Sequence, residues 1–366
     1  MPGTVYRIQS TQTNRVQRLF WAFGPSITGW NYCRPVLCLD GTFLLGKYRG
    51  TLLTAIGIDA NNGLYPLAFA IVESECNESL IWFLRQVNEL LPVVTNMHNL
   101  CIISDRHAGL VRGLDIHQWL VDRDVSRWSL TNDGGFRYGV MTTNAAESFN
   151  GVLKRARGLP IQALIMAIYY NIISMFVRRL EFITTEEEQN NDFLAPHIQN
   201  SVKRVEEEAR WMPEPICLNL HEFQVVDMSS RSYRVDILDG RRCKCSCGRP
   251  LLYHYPCSHV VCCLAMLRRS HFDYVSPYYT RPNYKLSYSG QFHHIPNKEE
   301  WGEHNPNTGK IPLLPPNYRR RSGRPRTNRF RNKMDEAPAR SIRVCGACHL
   351  AGHNRATCPT RFGRMN

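Results

Sequence analysis

The sequence has 366 residues, of which 45 are Lys or Arg and 31 are Asp or Glu, so its formal net charge is +14. Hydrophobic residues make up 43% and charged residues 21%, which excludes a largely disordered chain and allows two or three compact units. The excess of positive charge indicates a polyanionic partner such as DNA, although a solvated basic surface is the plain alternative.

Two features of the sequence indicate the compartment of the protein, namely fourteen cysteines and a start without an apolar leader. The first residues carry no apolar core of the signal-peptide kind, so the cysteines favour metal binding in a reducing compartment over disulfides. The longest apolar stretch, Leu164–Val177, has fourteen residues and is too short to span a bilayer. These observations predict a nuclear protein without a membrane segment.

Residues 36–107 have the pattern of a β-β-β-α-β unit. Short apolar runs predict strands over Val36–Leu39, Thr51–Ile58, Leu64–Val72 and Leu100–Ile103. The helical period of apolar residues predicts a helix over Glu78–Leu91, which Pro92 stops. This order predicts a mixed sheet with a helix packed on it.

The next part of the chain is predicted to be helical, over Asn144–Arg157, Ile161–Glu181 and Glu186–Arg210. A smaller unit begins near Phe223. Its predicted hairpin strands, Val225–Val226 and Tyr233–Leu238, precede a turn at Asp239-Gly240.

Two clusters of cysteine and histidine have the spacing of zinc sites. Cys245, Cys247, Cys257 and His259 would give a closed tetrahedral site, and Cys345, Cys348, His353 and Cys358 fit the zinc knuckle CX2CX4HX4C. The alternative for the first is a group of buried free cysteines, to which we assign Cys262 and Cys263. For the second it is a chance cluster in a disordered tail. Knuckles commonly bind single-stranded nucleic acid.

The segment Tyr318–Lys333 is strongly basic and contains no acid. Its candidate nucleic-acid-binding residues are Arg319, Arg320, Arg321, Arg324, Arg326, Arg329, Arg331 and Lys333. Within it, Ser322-Gly-Arg-Pro-Arg326 has the form of an AT-hook core, which lies in the minor groove, and equally of a nuclear-localisation signal.

Three acids lie where a two-metal phosphoryl-transfer site would need them. Asp40 follows the first predicted strand, Asp105 follows the fourth, and Glu147 lies in the first turn of a helix. Each has a simpler interpretation, namely a turn at Asp40-Gly41, a surface ion pair at Asp105-Arg106 and a capping box for Glu147. Their joint placement favours the metal site.

Several motifs resemble plant Mutator-like (MULE) transposases. They include Asp40-Gly-Thr-Phe-Leu-Leu-Gly-Lys-Tyr-Arg-Gly50, Tyr65-Pro-Leu-Ala-Phe-Ala70, Ser104-Asp-Arg106 and Met141-Thr-Thr-Asn-Ala-Ala-Glu-Ser-Phe-Asn150. The CxC and CxH pair resembles the SWIM-type finger of such proteins. The resemblance implies a ribonuclease-H-like (DDE integrase-type) α/β fold, with Asp40, Asp105 and Glu147 as the catalytic acids and Mg²⁺ or Mn²⁺ as the cofactor of an active enzyme.

Two features depart from that family. Glu147 follows Asp105 by only 42 positions, where the family usually has a long helical insertion, and only about 35 residues precede the domain where a DNA-binding region is usual. We therefore expect a transposase-derived protein that binds zinc and nucleic acid, with degenerate or lost strand transfer. An active DDE transposase and a domesticated transcription or chromatin factor are the alternatives, and self-association stays open.

The predicted organisation has six segments. They are an N-terminal remnant (1–35), the transposase domain (36–158), a helical extension (159–215), the SWIM-type finger (223–270), a basic linker (312–340) and the knuckle (341–360).

Overall fold

A computed structural model describes residues 2–95, 97, 100–104, 134–189, 192–297, 300, 313–316, 345 and 348. The chain forms two compact units, residues 1–319 and 320–366. Asp105 and the predicted basic residues 319–333 lie outside the described residues, as do His353 and Cys358 of the predicted knuckle.

The first unit is built on a six-stranded mixed sheet. Its strands are β1 (Val5–Ser10), β2 (Val16–Ala22), β3 (Arg34–Phe43), β4 (Thr51–Ile58), β5 (Leu64–Val72) and β6 (Cys101–Ser104). They lie in the order β1-β2-β5-β4-β3-β6, and all neighbours are antiparallel except the parallel pair β3 and β6. β4 and β5 are buried along almost their whole length, as their continuous apolar sequences predicted.

The structure differs from the prediction at two places in this sheet. β3 continues through Asp40 and Gly41 to Phe43, so that the turn predicted as the simpler interpretation of Asp40-Gly41 is wrong. β1 and β2 were not predicted, and they add a hairpin to the edge of β5. Most of β1 is exposed or half-buried, which explains its weak apolar signal.

Six helices of the described chain accompany the sheet. They are α1 (Gly24–Trp30), α2 (Asn77–Leu90), α3 (Pro92–Thr95), α4 (Asn144–Val152), α5 (Ile161–Gln189) and α6 (Pro196–Arg210). The predicted single helix over Glu186–Arg210 is wrong: residues 186–189 end α5, and α6 starts at Pro196. Proline favours the first turn because its missing N–H group is not needed there.

α5 has 29 residues and exceeds the predicted helix by a further eight at its end. By length and composition this helix could cross a membrane, in contrast to the shorter apolar stretch Leu164–Val177. Core helices of soluble proteins can have the same length and composition. Leu164, Ile168, Ile172 and Phe176 on one side of it are buried in the main core.

A cysteine-rich subdomain follows α6. Its four strands, β7 (Ile216–Cys217), β8 (Glu222–Val226), β9 (Ser232–Leu238) and β10 (Arg242–Cys245), form an antiparallel sheet in the order β10-β9-β8-β7. Two helices complete it, α7 (Arg249–Tyr253) and α8 (Ser258–Met266). Phe223, Val225, Val235 and Ile237 form its small core with α8.

After this subdomain the chain returns to the main core. The helix α9 (Arg281–Tyr288) packs against α1 and α5. The Tyr288 hydroxyl donates to Asp59 Oδ2 at 2.8 Å, and Arg179 of α5 forms an ion pair with the same fully buried carboxylate. Asp59 therefore ties the β4–β5 turn to two helices that are distant in sequence.

Candidate zinc and divalent-metal sites

The four predicted ligands of the first zinc cluster converge. The Sγ atoms of Cys245, Cys247 and Cys257 and a ring nitrogen of His259 all lie within 4.8 Å of one another. His259 Nδ1 is 3.5 Å from Cys245 Sγ and 3.7 Å from Cys257 Sγ. Zinc bonds of about 2.3 Å to sulfur and 2.0–2.1 Å to nitrogen predict about 3.6 Å for such a tetrahedral edge. The donor set and its spacing therefore fit Zn²⁺.

Local structure places these ligands. Cys245 ends β10, and Cys247 follows it just before the left-handed Gly248, whose φ is 74°. Cys257 is the N-cap of α8 and His259 lies in its first turn. The ring of His259 stacks on Tyr233 of β9 with centroids 3.9 Å apart, which fixes the imidazole plane.

The three thiols interact strongly. Hydrogen bonds with Cys245 and Cys247, together with burial, raise the pKa of the Cys257 thiol well above its usual range. Hydrogen bonds from Cys245 and Cys257 lower the pKa of Cys247. Because zinc binds cysteine as thiolate, zinc binding would release the protons of these thiols.

The other cysteines of the subdomain are outside this cluster. Cys263 is fully buried, and its burial raises the pKa of its thiol to about 12. Cys262 is half-buried with Sγ 3.6 Å from the Pro213 carbonyl oxygen. The assignment of both as packing residues agrees with this placement.

Asp40 and the Glu147 helix meet on one face of the main sheet. Alternate residues of β3 contact the segment around α4, as the two-residue period of a strand requires. The contacts join Cys38 Sγ to the Thr142 carbonyl oxygen (3.9 Å), Asp40 Oδ2 to Asn150 Nδ2 (2.8 Å) and Thr42 Oγ1 to Arg157 Nη1. Asn150 lies one turn after Glu147 on the same helix, so α4 is anchored directly on Asp40.

The environment of Asp40 opposes its ionisation. Burial raises the pKa of its carboxyl to about 6, against the lowering by hydrogen bonds from Asn150 and the Gly41 backbone. The negative charges of Glu75 and Glu147 raise it further. A divalent cation would neutralise this repulsion, and carboxylate oxygens are the ligands that Mg²⁺ prefers.

Glu147 is exposed, and its helix begins at Asn144 with Thr143 as the N-cap. Glu147 therefore lies four residues after the N-cap residue Thr143, whereas a capping box places its acid three residues after the N-cap.

The third predicted acid, Asp105, lies outside the described residues. Ser104, which precedes it, ends β6 and pairs with Leu39 beside Asp40. Ser104 and Asp40 also line one cleft. The first and fourth strands of the β-β-β-α-β unit, here β3 and β6, are thus neighbours in the sheet.

Glu75 is an acid of this cleft that the sequence did not single out. A Cβ atom added at Gly41 would lie 2.9 Å from Glu75 Cδ, so a larger residue at this position would displace the Glu75 carboxyl group from its place against β3. One signal was present: Glu75 follows β5 closely, and β5 ends at the same edge of the sheet as β3.

In the second unit, Cys345 is fully buried and Cys348 is half-buried. Since the other two predicted ligands and the basic residues lie outside the described part of the chain, the knuckle and the basic segment stay predictions.

Comparison with known proteins gives two matches to family models. Residues 36–122 match the MULE transposase domain, and residues 233–261 match the SWIM zinc finger. No curated protein and no solved structure matches the chain. The first match includes Asp40, and the second includes all four converging zinc ligands. The chain therefore carries a MULE transposase domain followed by a SWIM zinc finger, which confirms the family that its motifs resembled.

Proposed function

We propose that this transposase-derived protein binds DNA and keeps a divalent-metal site at the edge of its main sheet, while its strand-transfer activity is reduced or lost. The observation that carries the metal site is the Asn150–Asp40 hydrogen bond of 2.8 Å, because it holds the Glu147 helix against β3.

The strand order supports a ribonuclease-H-like fold for this domain. Three antiparallel strands, β3, β4 and β5, are joined in sequence, and β6 is added in parallel beside β3. In that fold the first and fourth strands carry two acids of the site and a later helix carries the third. Asp40, Asp105 and Glu147 occupy those positions in the sequence.

Mg²⁺ or Mn²⁺ at these acids would supply the charge that activates an attacking hydroxyl and stabilises a leaving oxygen. Asn150 donates a hydrogen bond to Asp40 Oδ2 and so fixes the orientation of the Asp40 carboxylate. Either carboxylate oxygen of Asp40 would then be available to the cation. Glu75 adds negative charge to the same cleft. Zinc at the SWIM finger, by contrast, is structural because all four positions are filled by protein ligands.

The short separation of Asp105 and Glu147 supports reduced strand transfer. These acids are only 42 positions apart, which leaves no room for the long helical insertion of the family. The basic residues 319–333 and the predicted second zinc site support the binding of DNA or single-stranded nucleic acid.

One experiment tests both parts. The zinc-loaded full chain is titrated with Mn²⁺ and is then incubated with labelled duplexes that carry candidate terminal repeats. We expect Mn²⁺ binding that Asp40→Asn weakens at least about tenfold, with little or no metal-dependent cleavage. Equal Mn²⁺ binding by both proteins would contradict the metal site. Cleavage that disappears in Asp40→Asn would instead favour the active DDE transposase.

A further inference from the structure

The SWIM finger contacts the loop that leads into the Glu147 helix. The contact is made by residues 249–255, which lie between the zinc ligands Cys247 and Cys257. His254 Nε2 is 2.6 Å from the Gly135 carbonyl oxygen, so the imidazole donates a hydrogen bond to it. The same ring stacks on Tyr138, with centroids 3.8 Å apart and an interplanar angle of 12°.

Two glycines allow this close approach. A Cβ atom at Gly135 would lie 2.1 Å from the Leu251 carbonyl oxygen, and one at Gly139 would lie 2.8 Å from the Tyr253 ring. Both glycines also have positive φ angles, +85° and +76°. Any larger residue would push the loop away from the finger.

The two stacked residues themselves have unfavourable backbone conformations. Tyr138 has a φ of 50° and His254 a φ of 57°, a region that bulky side chains rarely adopt. Surrounding contacts hold the finger side in place. Ser276 N donates to the His254 carbonyl oxygen at 2.9 Å, and the Tyr279 hydroxyl donates to the Tyr253 carbonyl oxygen at 2.8 Å.

The loop is connected to the metal site through a short segment of backbone. Only residues 140–143 separate Gly139 from the start of α4. Within them the Thr142 carbonyl oxygen lies 3.9 Å from Cys38 Sγ of β3, and Thr143 is the N-cap residue of α4 but makes no side-chain capping hydrogen bond. A displacement of Tyr138 would therefore shift the first turn of the helix that carries Glu147.

We propose that residues 249–255 and 135–139 form a brace, through which zinc at Cys247 and Cys257 positions the Glu147 helix, with His254 as the positioning residue. Zinc bound to Cys247 and Cys257 would hold both ends of the segment 249–255. The stacked rings of His254 and Tyr138 join this segment to the loop 135–139. The role in positioning Glu147 rests on the proposed function, whereas the coupling of zinc to the loop does not.

Hydrogen–deuterium exchange on the zinc-loaded full chain tests the coupling. His254→Asn keeps a residue that tolerates positive φ but removes the stacked ring and shortens the donor. We expect exchange at residues 134–143 to become at least about tenfold faster, with zinc content unchanged.

Arg268→Asn is the matched control. Arg268 lies in the same finger, has a φ of 54° and is exposed, and it follows a helix as His254 does. Exchange at residues 134–143 should be unchanged in this variant. An equal rate in His254→Asn and Arg268→Asn would overturn the brace.

Zinc removal is the second arm. In the native sequence we expect chelation to speed exchange at residues 134–143, and in His254→Asn it should add little because the connection is already broken. Undiminished protection of the loop after zinc loss would also overturn the proposal.

The role of His254 in positioning the Glu147 helix is tested by the Mn²⁺ affinity of the protein, measured by electron paramagnetic resonance. His254→Asn should weaken Mn²⁺ binding by about three- to tenfold while Arg268→Asn does not. Unchanged affinity in His254→Asn contradicts positioning. If the native chain binds no Mn²⁺, the proposed metal site fails, and the exchange experiment alone decides whether zinc braces the loop.

Discussion

Asp40 shows how one half-buried side chain sets the electrostatics of a site. Two hydrogen bonds favour its ionised form, yet burial outweighs them and raises the pKa to about 6. Since the nearby Glu75 and Glu147 also disfavour a further negative charge, the metal-free protein holds this carboxylate at a free-energy cost. A divalent cation would remove that cost, which links metal binding to stability.

This cost predicts that Asp40→Asn stabilises the metal-free protein. The asparagine keeps an oxygen for Asn150 but carries no charge. The difference between a pKa of 3.8 and one of about 6 corresponds to about 3 kcal/mol, and partial solvent contact reduces this to about 2 kcal/mol. Urea unfolding of zinc-loaded protein without Mg²⁺ or Mn²⁺ measures it.

The pH dependence has a definite sign. Because the folded state holds the proton more tightly, native stability falls as pH rises from about 4 to about 6. The advantage of Asp40→Asn should therefore grow over that window and stay constant above about pH 7. Asp239→Asn, in an exposed turn, is the control for the Asp-to-Asn substitution itself. An advantage independent of pH would contradict the assignment.

At the residue scale, element order places the Glu147 helix on Asp40 of β3, as the 2.8 Å hydrogen bond from Asn150 to Asp40 Oδ2 shows. The role of Asp40, Asp105 and Glu147 as catalytic acids stays a prediction. Glu75 was missed although it follows β5 closely, because its place beside Gly41 of β3 depends on strand pairing through β4. For the same reason, the Asn150 hydrogen bond that anchors α4 could not be predicted.

At the element scale, continuous apolar strands were predicted most accurately. The bounds of β4 and β5 are those predicted, because both strands are buried on both faces and end at polar turns. β1 lacks this pattern, and β3 extends beyond its apolar run through Asp40 because pairing with β4 continues to Phe43. Here pairing between strands overrides local composition.

The next prediction concerns the number of zinc ions bound per chain. The native chain should bind two zinc ions, one at the converging cluster and one at the predicted knuckle. Cys257→Ser should lose one, because Cys257 both supplies a ligand and starts α8. Metal analysis by mass spectrometry after dialysis measures this loss.

Cys262→Ser is the control for that experiment. Cys262 lies in the same helix, but its Sγ contacts the Pro213 carbonyl oxygen and, among the described residues, lies outside the cluster of converging ligands. Its zinc content should match the native chain. A Cys257→Ser protein that keeps both ions would show that the converging thiols do not bind zinc.

At the scale of the whole molecule, the chain passes through the finger and then returns to the transposase domain. Tyr288 reaches Asp59 across 229 positions, and α9 packs on α1 and α5. The local sequence cannot predict that the chain returns to the domain, because Asp59 has the pattern of an ordinary turn residue and Tyr288 that of an ordinary helix residue. The finger is therefore held at both ends by the domain, which explains how it can contact the loop before α4.

The basic segment predicts the salt dependence of DNA binding. The eight basic residues of Tyr318–Lys333 can neutralise phosphates and release counterions. If about six contacts form, the logarithm of the binding constant should fall with the logarithm of salt concentration at a slope near −5. Deletion of residues 318–366 should remove most of that slope.

Glu147→Gln is the matched variant in this titration. The proposed role of Glu147 is metal binding, so its loss should leave both the affinity and the slope unchanged. Fluorescence anisotropy with a labelled duplex, from low to physiological salt, measures all three proteins. Full affinity in the deletion would place DNA on residues 1–317 instead. In that case the positive charge of the finger and the transposase domain, rather than the tail, would have to account for binding.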